Sequence, residues 1–221
     1  MKFRHEYKHR INYLDVMQLK NRLGIICPHD SHCTADGTYI VRSLYFDNYM
    51  DKALKEKVDG VNKREKFRIR YYGDDTSFIR LEKKSKINGM CHKEHIRITK
   101  EECEMIIGGD IDFLIKSDDN LKRELYAKMK YQLLRPKLII AYRRECFVYP
   151  PGNVRITLDS EISGSSNVFE FLNPQLKYTQ YCTDTILEVK WDEYIPDIIS
   201  SAVQSCDRKA GAFSKYEAVR F

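Results

Sequence analysis

The chain has 221 residues, with 38 Lys plus Arg against 32 Asp plus Glu and a formal charge of +6. That length suits one core and gives no reason to divide residues 1–221 into two domains, and the cationic excess is too small to demand a polyanionic partner. The longest apolar run covers only residues 138–142, far short of the roughly 18 to 20 residues of a membrane-spanning helix, so no span is expected, while attachment to a membrane-associated partner protein stays open.

In chain order, residues 3–11 read as a strand, 14–23 as a helix, 27–38 as a loop and 39–47 as a second strand. A helix over 50–57 precedes strands over 64–72, 78–86 and 93–98, the first two joined by a loop at 73–77. Helices follow over 101–107 and 121–134. The first opens with Thr99 and Glu102 at capping-box spacing, and the second carries an apolar stripe of Leu121, Leu125, Met129 and Leu133. Gly108 and Gly109 read as a helix terminator. Strands over 138–148, 154–162 and 186–192 complete a set of eight. The turn at 150–153 separates two of them, and the long polar segment 164–184 is expected to be a lid or disordered. The chain closes with helices over 196–206 and 213–221. Eight strands with short connections predict an α+β fold: an eight-stranded antiparallel barrel, its tunnel surrounded by helices.

Cys27, Cys33, Cys91, Cys103, Cys146, Cys182 and Cys206 are odd in number and scattered, and MKFRHEYKHR lacks an apolar signal region. Free thiols in a reducing, cytoplasmic compartment are expected. Cys27, His29, His32 and Cys33 are zinc-ligand types, but their spacing is tighter than structural zinc sites and no second cysteine pair completes one. A polar loop is the preferred reading there.

Residues of one parity share a face of a strand. In 3–11, Arg4, Glu6, Lys8 and Arg10 oppose Phe3, Tyr7 and Ile11. In 64–72, Arg64, Lys66, Arg68 and Arg70 oppose Phe67, Ile69 and Tyr71. In 78–86, Arg80, Glu82, Lys84 and Lys86 oppose Ile79, Leu81 and Lys83. In 154–162, Arg155, Thr157, Asp159 and Glu161 oppose Val154, Ile156, Leu158 and Ile162. In 186–192, Glu188, Lys190 and Asp192 oppose Leu187, Val189 and Trp191. Parity alone leaves open which face is inside, and a half-buried sheet normally turns its polar face outward. Two features argue the reverse. The ionic faces are rich in Arg, and the helices need apolar sheet surface to cover. Charges turned inward call for an anionic occupant, which Lys and Arg would hold by charge-assisted hydrogen bonds. The interspersed carboxylates would suit a hard cation such as Mg²⁺ or Mn²⁺.

Several words along the chain resemble the VTC domain of polyphosphate polymerases, within the CYTH-like superfamily of triphosphate tunnel metalloenzymes. They are FRHEYKHRI, SLYFDN, KFRIRYYG, LEKKSKINGMCHKE, AYRRECF, RITLDSEI, LEVKW and FSKY. The resemblance implies a tunnel whose phosphate-binding cations are Lys8, Arg68, Arg70, Lys84, Lys93, Arg144, Arg155 and Lys215. Tyr142 and Ser214 would add neutral hydrogen bonds, and Lys190 would share the substrate face. Glu188 would be the main carboxylate on the metal side. Glu6, Glu82 and Asp159 would be metal ligands or salt-bridge partners. The implied reaction moves the γ-phosphoryl group of a nucleoside triphosphate such as ATP onto polyphosphate, with triphosphate hydrolysis as the alternative. A non-catalytic polyanion module using exterior cations and aromatic stacking is a third reading, although no nucleic-acid partner is the expectation. Arg10, Lys66, Arg80 and Lys86 lie nearer strand ends, where solvated charge is as good a reading. Asp47 reads as a turn cap.

Overall fold

Among the described residues, alternating polar and apolar side chains give nine strands, interleaved with seven helices. The computed structural model describes residues 4–88, 90–204, 211 and 213–220, and only the backbone at Met90 and Cys91. The expected element ends at Phe3, Cys206 and Phe221 lie outside the described residues. In chain order the elements are β1 (His5–Ile11), α1 (Tyr13–Ile26), β2 (Thr38–Asp47), α2 (Lys52–Val58), β3 (Arg64–Tyr72), β4 (Asp75–Ile87) and β5 (Met90–Ile98). Next come α3 (Lys100–Gly108), α4 (Asp112–Ile115), α5 (Asn120–Tyr131), β6 (Arg135–Tyr149), β7 (Val154–Ser165), β8 (Thr179–Cys182), β9 (Thr185–Trp191), α6 (Asp197–Val203) and α7 (Lys215–Arg220).

One antiparallel sheet runs β1-β9-β7-β6-β2-β3-β4-β5, with β8 added to β7. The architecture is the α+β one expected, with two corrections. A ninth strand, β8, comes from the segment read as a lid or disordered. The hydrogen-bonded ladder is also not closed: β1 and β5 remain its two ends. At the β1 end, Lys84 Nζ on β4 lies 4.0 Å from Glu6 Oε1, and the Lys8 carbonyl accepts a 2.9 Å bond from Gly211 N–H. Segment 164–184 packs down rather than swinging free. Phe171 within it is fully buried against the core, and its carbonyl accepts a 2.8 Å bond from the Tyr71 hydroxyl.

The helices cover the convex side. Leu44, Phe46, Ile69 and Leu81 pack against Cys103, Ile106, Leu125 and Met129 of α3 and α5. Ile156, Leu158 and Val189 pack against Leu19 and Leu23 of α1 and Ile199 of α6. Local signals start the helices. Asn12 and Asp15 form a capping box on α1, and Thr99 and Glu102 form the expected one on α3. Gly109 ends α3 with φ +88°, a conformation that suits glycine.

The concave side is mixed. Toward α7, Leu138, Ile140, Ile162 and Ile186 gather around Tyr216 and Val219. A β-bulge produces part of this: two residues of β7, Glu161 and Ile162, stand opposite Tyr142 alone. Glu161 adopts φ +54° and its side chain is exposed beside Arg143. The alternation therefore inverts there. Ile162 joins the concave cluster, whereas the strand pattern had placed Glu161 on that side. Asp47 caps as expected: it is buried, accepts from the backbone N–H groups of Ala53 and Leu54, and takes a 2.9 Å bond from the Tyr216 hydroxyl.

Candidate functional site

With the helices on the convex side, the ionic faces of β1, β9, β7, β3, β4 and β5 line one trough, joined by polar residues of β2 and β6. Antiparallel register sets the side chains in rows. Lys8 lies opposite Glu188, Glu6 opposite Lys190, Arg144 opposite Asp159, Arg68 opposite Glu82 and Lys84 opposite Lys93.

Three ionic groups fill it. In the first, Lys8 Nζ lies 3.0 Å from Glu6 and 3.1 Å from Glu188, and Lys190 Nζ lies 3.5 Å from Glu6 and 2.9 Å from Glu188. Burial and mutual repulsion oppose ionisation of Glu6, yet Lys8, Lys84 and Lys190 hold its pKa below the usual carboxylate value. Burial likewise opposes ionisation of Glu188, and Lys190, Lys8 and Arg144 hold its pKa well below that value.

In the second group, Arg144 grips Asp159 at 2.6 and 2.8 Å, and Lys215 reaches the same carboxylate at 2.6 Å. Asp159 is wholly buried; burial would raise its pKa, but these two cations bring it to about 2. In the third, Arg68 holds one oxygen of Glu82 at 2.6–2.7 Å and Lys93 holds the other at 2.6 Å. Burial lowers the Lys93 ammonium to about 8, against the opposing pull of Glu82.

Arg70 stands apart. Its guanidinium is 6% exposed and donates to Ser43 Oγ at 2.9 Å and to the Tyr142 hydroxyl at 3.1 Å. Among the described residues no carboxylate lies within ion-pair distance of it. Tyr142 also accepts from Arg144 at 3.4 Å and lies under Lys215, 4.5 Å from ammonium to ring centre. Tyr45 accepts from Arg68 at 3.2 Å. Burial raises the Tyr45 phenol, but Arg68 and Arg70 outweigh it and bring the group down to about 8.

The expected site residues are thus brought together on one face, with Arg155 at the rim. It pairs with Asp30 at 3.0 Å and with the Tyr39 hydroxyl at 3.1 Å. Asp30 belongs to the 27–38 loop, which was not expected to touch the face. Three residues were missed. Tyr45 lay on a strand whose two faces are both buried, so parity gave no signal. Lys66, left open between the ionic face and solvated charge, reaches Ser214 Oγ at 3.5 Å. Thr157 is 3% exposed, lies opposite Glu188, and its hydroxyl has no partner. Both Lys66 and Thr157 shared the parity of residues that were selected. The zinc reading of the 27–33 loop finds no support: His29 turns to Glu145, His32 turns to Asp30, and no group of three metal-ligating side chains occurs among the described residues.

An α+β antiparallel sheet wrapped around such a face is the triphosphate-tunnel type of fold. A Vibrio parahaemolyticus protein with a suggested adenylate cyclase activity shares it, at a TM-score of 0.52 and 13% identity over 98% of this chain and 97% of that one. A Bacillus halodurans protein with the same suggested activity aligns over 91% of this chain and 85% of that one, at 12% identity and a TM-score of 0.49. No curated protein sequence matches the chain. The VTC domain model matches residues 3–220, and the chain belongs to the VTC domain family.

This class of fold implies a divalent cation. Glu6 and Glu188 fit one. They are neighbouring carboxylates whose nearest partners are Lys side chains, with Arg144 3.9 Å from Glu188 and the unpartnered Thr157 hydroxyl opposite it. Mg²⁺ commonly takes only one or two protein carboxylates, the remainder being water and phosphate oxygens. Glu82 and Asp159 are held more tightly, each by an Arg and a Lys at 2.6–2.8 Å, against 2.9–3.5 Å for the lysines on Glu6 and Glu188. No helix among the described residues is long and apolar enough to cross a membrane.

Proposed function

We propose that this chain is a metal-dependent phosphotransferase that moves the γ-phosphoryl group of a nucleoside triphosphate onto the end of a polyphosphate chain lying in the trough. The observation that carries the reading is Arg70. A buried guanidinium hydrogen-bonded only to hydroxyls costs several kcal/mol of desolvation, which the nearby Glu82, already held by Arg68 and Lys93, offsets only in part. An anion in the trough supplies the missing countercharge. Enclosure of the cations favours a thin, flexible polyanion over a duplex nucleic acid.

In this reading Arg68, Arg70, Arg144, Lys215 and Lys93 bind non-bridging phosphate oxygens. Glu82 and Asp159 fix the positions of those cations before the anion arrives, so little reorganisation is needed during reaction. Tyr142 holds Arg70 and Arg144 at a shared hydroxyl. Lys8 and Lys190 flank the carboxylates Glu6 and Glu188, which would hold Mg²⁺ or Mn²⁺. The bound cation supplies charge neutralisation on phosphate oxygens during transfer. Phosphoryl transfer of this kind needs positioning and charge more than a protein nucleophile.

Purified protein supplied with ATP and Mn²⁺ is expected to make a polymer visible as a ladder on a gel. Phosphate release without polymer replaces the polymerase assignment with a triphosphatase on the same residues. A folded protein that turns over neither ATP nor inorganic triphosphate overturns both.

A further inference from the structure

The concave face of β3 carries a row of cations two residues apart, a step of roughly 6.6 Å along a strand. Arg70 and Arg68 are its inner members. At the outer end Arg64 turns away and donates to the Val61 carbonyl at 2.6 Å. Lys66 lies between, next to α7. Its ammonium donates to Ser214 Oγ at 3.5 Å and stands 5.3 Å from the centre of the Tyr216 ring.

Lys66 differs from the other lysines of the trough. Lys8, Lys84, Lys93, Lys190 and Lys215 each have a carboxylate within 4.0 Å. Lys66 has none among the described residues. Burial lowers its pKa to about 8, so the ammonium is charged near neutrality but poorly solvated. A hydroxyl and an aromatic face give it weak compensation. A phosphate oxygen would compensate it by a charge-assisted hydrogen bond, while the Ser214 hydroxyl can donate to the same group.

We propose that Lys66, together with the Ser214 hydroxyl, is a further phosphate subsite that continues the β3 row past Arg68 and lengthens the anion the face holds. This deepens the functional reading above and rests on it. The subsite predicts chain-length selectivity: a triphosphate seated at Arg68 and Arg70 does not need Lys66, whereas a longer chain reaches it.

Calorimetric titration with inorganic tripolyphosphate and with long-chain polyphosphate tests this on the wild type and on Lys66→Gln, Lys66→Arg and Ser214→Ala. Thermal melts confirm that each variant is folded. Lys66→Gln is expected to bind tripolyphosphate within about twofold of wild type and long-chain polyphosphate about tenfold more weakly, the loss of one charged contact. Lys66→Arg should restore most of the long-chain affinity, and Ser214→Ala should lose part of it selectively. Equal loss for both anions, or no loss for either, overturns the subsite and leaves the functional reading standing. Wild type that binds neither anion overturns both. Should Lys66→Gln fail to fold, Lys66→Arg and Ser214→Ala carry the comparison, and unchanged chain-length preference in Ser214→Ala then overturns the subsite.

Discussion

Arg144 holds both oxygens of Asp159, while Arg70, one Tyr142 hydroxyl away, holds no carboxylate at all. The two arginines lie close together on one face and carry opposite debts. Removing Arg144 leaves a fully buried carboxylate with only Lys215, and Arg144→Ala is expected to destabilise the fold by about 3–5 kcal/mol. Removing Arg70 frees two hydroxyls and abolishes a charge that Glu82 compensates only from beyond ion-pair distance. Arg70→Ala should lower turnover on the order of 10²- to 10³-fold with little change in Tm. Denaturant unfolding alongside steady-state kinetics separates the cases. An Arg70→Ala protein that is unstable but fully active per folded molecule would show that this guanidinium serves structure.

Lys83 and Lys84 are adjacent in sequence and opposite in space. Lys83 bonds Glu124 of α5 at 2.6 Å on the convex side, whereas Lys84 turns to the trough and its nearest carboxylate is 4.0 Å away. Lys84→Ala is expected to reduce turnover about 10²-fold at unchanged stability. Lys83→Ala should cost up to about 1 kcal/mol and leave kinetics untouched. Kinetics and melts on the pair decide; a reversed outcome exchanges the two faces.

Glu188 and Glu82 should separate metal binding from support. Glu188→Gln is expected to raise the Mn²⁺ concentration giving half-maximal rate and to weaken Mn²⁺ binding followed by electron paramagnetic resonance. Glu82→Gln withdraws charge from Arg68 and Lys93, so it should destabilise the fold with the Mn²⁺ midpoint unmoved. A shift of the midpoint in Glu82→Gln alone moves the metal to that carboxylate.

The pH dependence has two opposite parts. Lys66, Lys93 and Tyr45 all titrate at about 8 in the folded chain, below the ordinary values of 10.5, 10.5 and 10.0. Above pH 8 the unfolded chain therefore binds more protons than the folded one, and stability rises with pH. From about pH 9 the buried Cys146 thiol, pushed up to about 11, works the other way. Between pH 8 and about 9 the Tm of the unliganded protein should rise while the increment conferred by tripolyphosphate shrinks, since the Lys93 ammonium is being lost. Melts with and without the anion show this directly. Parallel movement of the two curves removes Lys93 from the anion site.

Strands with one wet and one dry face were readable from alternation, and β1, β3, β4, β7 and β9 fall where residue parity put them. β2 and β6 were readable as strands but not as site walls. Both of their faces are buried, so residues such as Leu138 to Tyr142 form a continuous apolar run with no period to follow. That concealed Tyr45. The short polar word Thr179–Cys182 resembles a loop and becomes β8 only because β7 offers it a partner. The bulge at Glu161 is a local insertion in the ladder, and parity cannot register a residue that is skipped. The direction of the ionic face came from family resemblance, and the packing of α3, α5, α1 and α6 on the other side supplies its physical cause.

The seam between β1 and β5 bears on how such a trough can be loaded. Every other strand boundary is stitched by several backbone hydrogen bonds and parts only at considerable cost. Between β1 and β5 no ladder is formed among the described residues: β1 meets the Lys84 ammonium of β4, a contact of a kind worth no more than about 1 kcal/mol, and its Lys8 carbonyl accepts from Gly211 N–H. If the proposed polyanion lies in the trough, Lys84 is the cation it would draw away from β1, leaving Glu6 to Lys8 and Lys190.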